Sequence, residues 1–281
     1  IRIRKYAIDI IVDVIKKANL LSEKKKSEGV YKKDFNKNEI FSNNIKLKNI
    51  SFNYETNKKI AVNNINIDIA KGKSVGLIGK SGSGKSTLVD IIIGLLEPST
   101  GEILIDDNNI GTKKISWQKQ LGYVPQEVYL LDDTIRNNIT FGIEKEEIDE
   151  KLLSDVIEKS QLKNLINSLP KKLNTLIGDR GARLSGGEKQ RIGIARALYN
   201  KPKVIVFDEA TSSLDIDNEN KILKEIYENK KDKTLIIISH RNNTVKYCDL
   251  IYVMEDGKII DNGTFDQIMK KHSYLKENVV T

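Results

Sequence analysis

The chain has 281 residues, of which 31% are charged and 39% are hydrophobic, and its 47 Lys and Arg against 39 Asp and Glu give a net charge of +8. A chain of this length and apolar content can bury a core, so the composition excludes an intrinsically disordered protein. One cysteine, Cys248, and two histidines, His240 and His272, exclude a disulfide framework, a thiolate zinc site and a histidine-rich metal site.

The basic excess is concentrated at the amino terminus. Residues 1–40 hold 11 basic and 6 acidic side chains, so +5 of the net +8 lies there. Only eight of the 47 basic residues are arginine, the side chain expected where phosphates or base edges are contacted bidentately. The charge therefore gives poor support for nucleic-acid binding.

The first predicted element is an amphipathic helix, because Ile8, Ile11, Val12 and Ile15 recur with helical spacing. Residues 22–44 follow as a polar stretch rich in Lys, Asn and Glu, which predicts a linker. The linker is either a solvated tail or a connection that descends from a membrane domain.

No stretch supplies the roughly 18 uninterrupted apolar residues that a membrane span requires, so the chain as given is expected to be soluble. The sequence has neither an initiator methionine nor a signal-peptide pattern. We expect that it was cut from a longer protein.

From residue 45 onward, short alternating runs broken by polar turns predict antiparallel strands. Within them, the apolar run 74–79 leads through a glycine-rich loop into the apolar run 88–96, which predicts a strand, a loop and a helix. Residues 127–183 are mostly helical in pattern, most clearly at 148–169. Further apolar strands in a βαβ pattern indicate an α/β fold. These strands are predicted at 204–207, 234–239 and 250–254.

The glycine-rich loop has the pattern G-x-x-x-x-G-K-[ST], formed by Gly79, Gly84, Lys85 and Ser86 between the predicted strand and helix. Its N–H groups can point at phosphate oxygens, and the following helix presents its positive end. We expect Lys85 to contact the β- and γ-phosphates and the Ser86 hydroxyl to bind Mg²⁺. The predicted nucleotide-binding residues of the loop are Gly79, Lys80, Ser81, Gly82, Ser83, Gly84, Lys85, Ser86 and Thr87.

A second motif follows the apolar strand at 204–207, which places Asp208 and Glu209 at the strand end where ligands bind in parallel α/β sheets. Asp208 is predicted to hold Mg²⁺ through water, and Glu209 to act as the general base for the attacking water. Such a pair alone is weak evidence. At about 120 residues after a phosphate loop, it supports nucleotide hydrolysis.

A third motif, Leu-Ser-Gly-Gly-Glu at 184–188, resembles the signature of the ATP-binding cassette (ABC) ATPases. The resemblance implies that Ser185, Gly186 and Gly187 close over the γ-phosphate of ATP bound by a second copy. Two domains would then enclose two ATP molecules head to tail. Glu188 departs from the family, which more often has Gln there, and its charge is expected to alter nucleotide affinity slightly.

The resemblance covers about residues 45–270 and implies roles for four further residues. Tyr54 matches the aromatic that stacks on adenine, with a core tyrosine as the alternative. Gln126 matches the glutamine that contacts Mg²⁺ and the attacking water, with an ordinary loop glutamine as the alternative. His240 matches the switch histidine that contacts the γ-phosphate. Asp215 matches the nucleotide-facing segment along the dimer interface.

The implied fold is an α/β P-loop NTPase with a mixed RecA-like core sheet, an antiparallel β subdomain and an inserted helical subdomain. Residues 1–44 are predicted to be a helix and linker from a preceding transmembrane domain. The predicted ATPase domain covers 45–275, with its helical subdomain at about 127–200, and 276–281 form a tail. His272 has no surrounding motif and is predicted to be solvated.

Two rival classes of cassette protein fit poorly. A DNA-maintenance ATPase needs a long coiled coil between its nucleotide-binding motifs. Here only the 57 residues of 127–183 separate Gln126 from the signature, which is too few. A translation-associated protein carries two cassettes, whereas this chain has one phosphate loop. A soluble ABC-type ATPase that acts on nucleic acid stays as the alternative function.

The favoured function is the ATP-hydrolysing part of an exporter. The runs Thr-Ile-Arg-Asn-Asn-Ile-Thr-Phe-Gly and Ile-Gly-Asp-Arg-Gly resemble half-transporters that fuse a membrane domain ahead of the ATPase. The basic residues Arg2, Arg4, Lys5 and 24–26 would flank the last span on its cytoplasmic side. The implied ligands are ATP and Mg²⁺, and the implied partners are a second ATPase domain and the transmembrane domain, at the cytoplasmic face of the cell membrane. Nucleic acid is not an expected partner. The transported substrate stays open between lipid-linked sugar, lipid, peptide and drug.

Overall fold

The computed structural model describes residues 41–54, 60–211, 213–228 and 233–272. The predicted amino-terminal helix, most of the predicted linker and the carboxy-terminal tail lie outside these residues. Among the residues described, none of the helices combines the length and the apolar content that crossing a bilayer needs.

The described residues form ten strands and nine α-helices. The strands are β1 (Asn44–Asn53), β2 (Ile60–Ala70), β3 (Ser74–Ile78), β4 (Thr100–Ile105), β5 (Asn108–Asn109), β6 (Leu121–Val124), β7 (Val204–Asp208), β8 (Thr234–Ile238), β9 (Leu250–Glu255) and β10 (Lys258–Gly263). The helices are α1 (Lys85–Ile92), α2 (Lys114–Gln118), α3 (Ile135–Ile139), α4 (Glu150–Lys159), α5 (Lys163–Ser168), α6 (Gly186–Tyr199), α7 (Ile216–Glu228), α8 (Asn242–Val245) and α9 (Phe265–Lys271). Short 3₁₀ turns lie at Ile110–Thr112, Lys145–Glu147, Lys172–Asn174 and Asp179–Gly181.

The alternating runs after residue 43 form an antiparallel sheet in the order β2-β1-β4-β5, which confirms the predicted antiparallel strands. In β2, Ile65, Ile67 and Ile69 are buried, while the intervening Asn66 and Asp68 are exposed. This alternation buries one face of the strand and leaves the other in water.

The central sheet has the order β10-β9-β3-β8-β7-β6, and its strands are parallel except for β10, which pairs antiparallel with β9. The sheet is therefore mixed, as the sequence predicts. Every residue of β3, β7 and β8 is buried. Strands with both faces covered need continuous apolar runs, which explains why these segments do not alternate.

The two faces of the central sheet belong to two apolar cores. Val204 and Val206 of β7 pack in the core that contains α1 and the antiparallel sheet. Ile205 and Phe207, on the opposite face, pack in the core that contains side chains of α4, α6 and α7. The sheet is thus held between the antiparallel strands on one side and the helical region on the other, and its strand ends stay available for a site.

The helical region contains more loop than the sequence pattern predicts. The periodic stretch 148–169 forms two helices, α4 and α5, because Gln161 adopts a left-handed backbone with φ of 56°. Just before it, the Ser160 hydroxyl donates to the carbonyl of Val156 at 2.7 Å, which takes an acceptor at the end of α4. The polar Ser-Gln pair is the local signal for this break.

The prediction that His272 is solvated is wrong. His272 follows α9, its side chain is 17% exposed, and its Nε2 lies 3.0 Å from Oδ2 of Asp261 on β10. This contact and the neighbouring Lys271 hold the pKa of the Asp261 carboxyl below its usual value. A histidine near a chain end is paired here because α9 folds back onto the last strand.

Candidate nucleotide-binding site

The glycine-rich loop connects β3 to α1, and two of its glycines are required by neighbouring backbone. Gly79 has φ of 151°, and a Cβ there would lie 2.1 Å from the carbonyl oxygen of Met254. Gly84, with φ of 98°, would place a Cβ 2.3 Å from the carbonyl oxygen of Ala61. Any larger residue would displace β9 or β2, so the loop packs tightly against both sheets.

Lys85 begins α1 and points its ammonium back into the loop. Its Nζ donates to the carbonyl oxygens of Gly79 and Lys80, each at 2.9 Å, and the residue is only 5% exposed. Burial lowers the pKa of the ammonium, and the nearby Glu209 and Asp208 carboxylates oppose that shift. The loop therefore surrounds a partly desolvated positive charge, which is the electrostatic requirement for binding a polyphosphate.

Asp208 ends β7 beside the first turn of α1. The Ser86 hydroxyl donates to its Oδ1 at 3.3 Å, and the Tyr123 hydroxyl donates to its Oδ2 at 3.4 Å. Burial raises the pKa of Asp208, with smaller opposing effects from the Ser86 and Tyr123 bonds and added repulsion from Glu209 and Asp90. Carboxylate and hydroxyl oxygens thus converge where the sequence predicts a metal.

Tyr123 is a site residue that the sequence analysis missed. It lies on β6, which pairs with β7 so that Tyr123 is in register with Val206, two residues before Asp208. The available signal was its position three residues before Gln126. The strand pairing that brings it to Asp208 joins segments about 80 residues apart in the chain, which local pattern does not show.

Glu209 meets two other residues that the sequence predicts to be catalytic. Gln126 Nε2 donates to Glu209 Oε2 at 3.0 Å, and His240 Nε2 lies 2.7 Å from Glu209 Oε1. The backbone of Glu209 is left-handed with φ of 51°, and its N–H donates to the Ile238 carbonyl. This turn follows the end of the strand, and the Glu209 carboxylate, whose side chain is 18% exposed, lies between Gln126 and His240.

Tyr54 lies at the edge of the loop and is not a core residue. The residue is 39% exposed, its hydroxyl is 3.1 Å from Oγ1 of Thr87, and its ring meets the ring of Phe52 edge-on at 4.9 Å. A cavity of about 420 Å³ joins these parts. Its lining includes Tyr54, Ser81, Gly82, Gly84, Lys85, Ser86, Thr87, Gln126, Glu209 and His240.

The structure does not bring the signature residues into this cavity. Ser185 caps α6, and Ser185, Gly186 and Asp215 are exposed. Asp215 accepts hydrogen bonds from the backbone and side chain of Asn218, so it caps the first turn of α7. These predicted nucleotide-binding residues face outward from the chain that holds the phosphate loop.

Glu188 has a local partner that the sequence analysis missed. Its Oε2 accepts from the backbone N–H of Ser185 at 2.7 Å and from the Ser185 hydroxyl at 2.9 Å. The Glu188 N–H lies 3.3 Å from the same hydroxyl oxygen, which completes a capping box. Serine followed three positions later by glutamate was the signal for it.

The mixed sheet, the glycine loop around Lys85 and the acidic end of β7 define a P-loop NTPase. Residues 62–212, more than half of the chain, match the family model of the ABC transporters. The chain therefore belongs to the ABC transporter family, and its described residues contain the ATP-binding, ATP-hydrolysing domain of that family.

Relatives and a solved structure agree with this assignment. The chain is 40% identical to mouse ATP-binding cassette sub-family B member 5 and 38% identical to the leukotoxin export ATP-binding protein LtxB of Aggregatibacter actinomycetemcomitans. Each alignment covers 83% of this chain, and 19% and 33% of the respective relative. The structure of a bacterial Atm1-family ABC exporter with ATP bound matches with a TM-score of 0.80 and 31% identity, over 85% of this chain and 42% of that one. The chain thus spans about a third or less of the curated relatives it matches.

Proposed function

We propose that the cavity between the glycine loop, Gln126, Glu209 and His240 binds ATP and hydrolyses it to ADP and phosphate. The observation that carries this proposal is the convergence of a buried ammonium, Lys85, and a carboxylate, Glu209, in the lining of one cavity. The first binds phosphate charge and the second can accept a proton. Tyr54, at the rim, offers its exposed ring face to the adenine base.

The phosphates are held mainly by the loop. Lys85 exchanges its bonds to the Gly79 and Lys80 carbonyls for phosphate oxygens, which suits its lowered pKa because the incoming charge restabilises the ammonium. The amino terminus of α1 adds its partial positive charge to the same point.

Glu209 acts as the base in the hydrolytic step. Water attacks the γ-phosphorus, the bond to the bridging oxygen of ADP breaks, and the water proton passes to the Glu209 carboxylate. Gln126 and His240, each within 3.0 Å of a different Glu209 oxygen, hold that carboxylate in line. His240 can then contact the γ-phosphate when the nucleotide enters.

Mg²⁺ fits the oxygens at the end of β7. Ser86 Oγ and Asp208 Oδ1 lie 3.3 Å apart, and Mg²⁺ is normally held by one or two carboxylates or hydroxyls together with substrate phosphates and water. Bound there, Mg²⁺ would neutralise charge on the phosphate oxygens. Ser86 and Asp208 are the residues we assign to hold it, together with Gln126, which lines the same cavity as Ser86.

The signature residues act on a second copy of the domain. Ser185, Gly186 and Gly187 lie at the start of α6, whose 14 residues give a helix dipole directed at solvent. Because they are outside the cavity of their own chain, they are free to close over the γ-phosphate bound by a partner copy. Asp215, which is also exposed, lies on the same interface. Two copies would enclose two ATP molecules.

The work done with ATP is transport. LtxB is named for leukotoxin export, and the solved neighbour is an ABC exporter, so we infer that this ATPase drives an exporter at the cytoplasmic face of the cell membrane. A transmembrane domain is the inferred partner, with residues 1–44 as the connection to it. The cargo is one of the lipid, lipid-linked sugar, peptide or drug classes.

The test is Glu209→Gln in the 281-residue chain. The variant loses the proton acceptor but keeps the shape of the site, so ATP should bind normally while turnover falls by about 100-fold or more. Size-exclusion chromatography should then detect an ATP-dependent dimer, because closed dimers no longer hydrolyse their ATP.

The matched control is Glu228→Gln, which removes an exposed carboxylate on α7 and should hydrolyse ATP at the wild-type rate. Wild-type turnover in Glu209→Gln would refute the assignment of the base. Loss of turnover without an ATP-dependent dimer would refute the proposal that two copies enclose the ATP molecules.

A further inference from the structure

Thr211, Ser213 and Leu214 belong to the segment that follows Glu209, and their backbone groups are held from two sides by side chains of Gln190 and Arg241. On one side is Gln190, which lies on α6 and is 2% exposed. On the other side is Arg241, the residue directly after His240. Neither was singled out by the sequence pattern.

Gln190 uses both ends of its amide. Its Nε2 donates to the Gln126 carbonyl oxygen at 3.3 Å, and its Oε1 accepts from the Ser213 N–H at 3.1 Å. A buried amide leaves few alternative partners for these backbone groups, because water is excluded. Any shift of α6, the helix that begins with Ser185, therefore displaces the backbone of both Gln126 and Ser213.

Arg241 holds the same segment from the direction of His240. Its Nη1 lies 3.3 Å from the Thr211 carbonyl oxygen, 3.4 Å from the Leu214 carbonyl oxygen and 2.6 Å from Oε2 of Glu219. The arginine thus ties the start and end of the segment to the backbone that carries the switch histidine.

Glu219 fixes the arginine in place. It is buried, and its Oε1 accepts from the hydroxyls of Thr211 at 2.7 Å and Thr244 at 2.8 Å. Its other oxygen accepts from Arg241. A buried carboxylate with three donors is costly to disturb, so the Arg241 guanidinium has one strongly preferred position.

We propose that Gln190 and Arg241 are positioning residues for ATP hydrolysis that join the signature helix to the switch histidine through the backbone of Thr211, Ser213 and Leu214. The inference rests on the proposed function. When a partner's nucleotide meets Ser185, displacement of α6 passes through Gln190 to Ser213 and then through Arg241 to His240. The same displacement reaches Glu209 through Gln126. Closure against one copy thereby aligns the base and the histidine of the other site.

The test compares Gln190→Met, Arg241→Met and the double variant in the 281-residue chain. Methionine matches the length of glutamine and replaces the unbranched stem of arginine, without the hydrogen bonds of either side chain. Each single variant should bind ATP within about twofold of wild type and lose about tenfold or more in kcat, because neither residue touches the cavity. The double variant should be no slower than the slower single variant, since either break interrupts the same connection.

The control is Gln118→Met on α2, which also loses side-chain bonds to two carbonyls, those of Ile93 and Gly94, at a place remote from the cavity. It should retain wild-type kcat. Thermal unfolding identifies variants that are not folded at the assay temperature. If Gln190→Met is one of them, Gln190→Asn, which stays polar but is too short for both contacts, takes its place.

The proposal would be overturned if the single variants had the kcat of Gln118→Met. It would also be overturned if the kcat losses of the two single variants multiplied in the double variant. These results are separable from failure of the ATPase proposal. In that case, Glu209→Gln would itself retain turnover.

Discussion

The glycine-containing loop before α1 and the one before α6 differ in how far their polar groups are buried and in what those groups bind. In the first, around Lys85, the glycines pack against neighbouring backbone and the ammonium is buried among loop carbonyls. In the second, around Ser185, the helix start is exposed and its polar groups are bonded to Glu188 of the same helix. The first loop is part of a cavity, whereas the second is part of an outer surface.

This difference indicates that the two loops have different roles toward the nucleotide. A loop with a buried, partly desolvated cation is suited to bind phosphate from solution, because the negative charge of the phosphate stabilises the ammonium. A helix start capped by its own carboxylate is stable without a ligand, so a phosphate must compete with Glu188 for the Ser185 hydroxyl. We infer that the first loop sets nucleotide affinity and that the second responds only when another copy presents a nucleotide.

The largest expected effect is at the first loop. Lys85→Ala removes the ammonium that the loop surrounds, and ATP affinity should fall by about 100-fold or more. Isothermal titration calorimetry with ATP measures this affinity. The control is Lys270→Ala on the exposed face of α9, which changes the net charge by the same amount. Unchanged ATP affinity in Lys85→Ala would contradict the inference that the first loop sets nucleotide affinity.

A smaller effect is expected at the second loop. Ser185→Ala should leave ATP affinity of the isolated chain unchanged but lower kcat by about 10- to 100-fold, the worth of one charge-assisted hydrogen bond. Loss of the cap should also cost about 1 kcal/mol of stability. Steady-state ATPase assays and ATP titration measure the two properties separately. Ser168→Ala, which removes a serine hydroxyl near the end of α5, should change neither. A large loss of affinity in Ser185→Ala would mean that both loops bind the same nucleotide.

The smallest expected effect concerns the buried charge beside the first loop. The pKa of Asp208 is raised by burial, so the folded protein holds that proton more strongly than the unfolded chain, and stability declines as pH rises through this range. Asp208→Asn should therefore raise the Tm of the nucleotide-free, EDTA-treated protein by a few degrees at neutral pH. The gain should shrink toward about pH 3, below the ordinary aspartate value of 3.8, where Asp208 is protonated in both the folded and the unfolded chain. Scanning calorimetry at the two pH values tests the sign, and a lower Tm for the Asn variant at neutral pH would contradict it.

The first loop and the end of β7 could be predicted from the sequence because each is a contiguous motif whose geometry follows from local backbone. The contacts of Tyr123 and Gln190 could not, since they depend on strand pairing and helix packing between segments distant in the chain. The pairing of His272 with Asp261, only 11 residues away, was missed because it depends on how α9 packs back onto β10. The cap formed by Glu188 is local, and the serine-to-glutamate spacing would have revealed it.

The fold was predictable to a similar degree. Continuous apolar runs identified β3, β7 and β8. Strands that are buried on both faces consist mostly of apolar residues, so the run itself is the signal. The short strand β6 and the break at Gln161 were missed, since neither has a long periodic signal.

We infer that the two loops act on one nucleotide only when they come from different copies. An experiment that mixes two inactive chains can show this. Lys85→Ala disables the first loop, and Ser185→Asp keeps a good helix cap while placing a negative charge where the γ-phosphate is expected. A mixed dimer contains one site built from two intact loops, so the mixture should hydrolyse ATP faster than the sum of the two variants alone. About a quarter of the wild-type rate is the upper limit, because the intact site receives no signal from the disabled site through the connection proposed for Gln190 and Arg241. A mixture no more active than its separate components would contradict the claim.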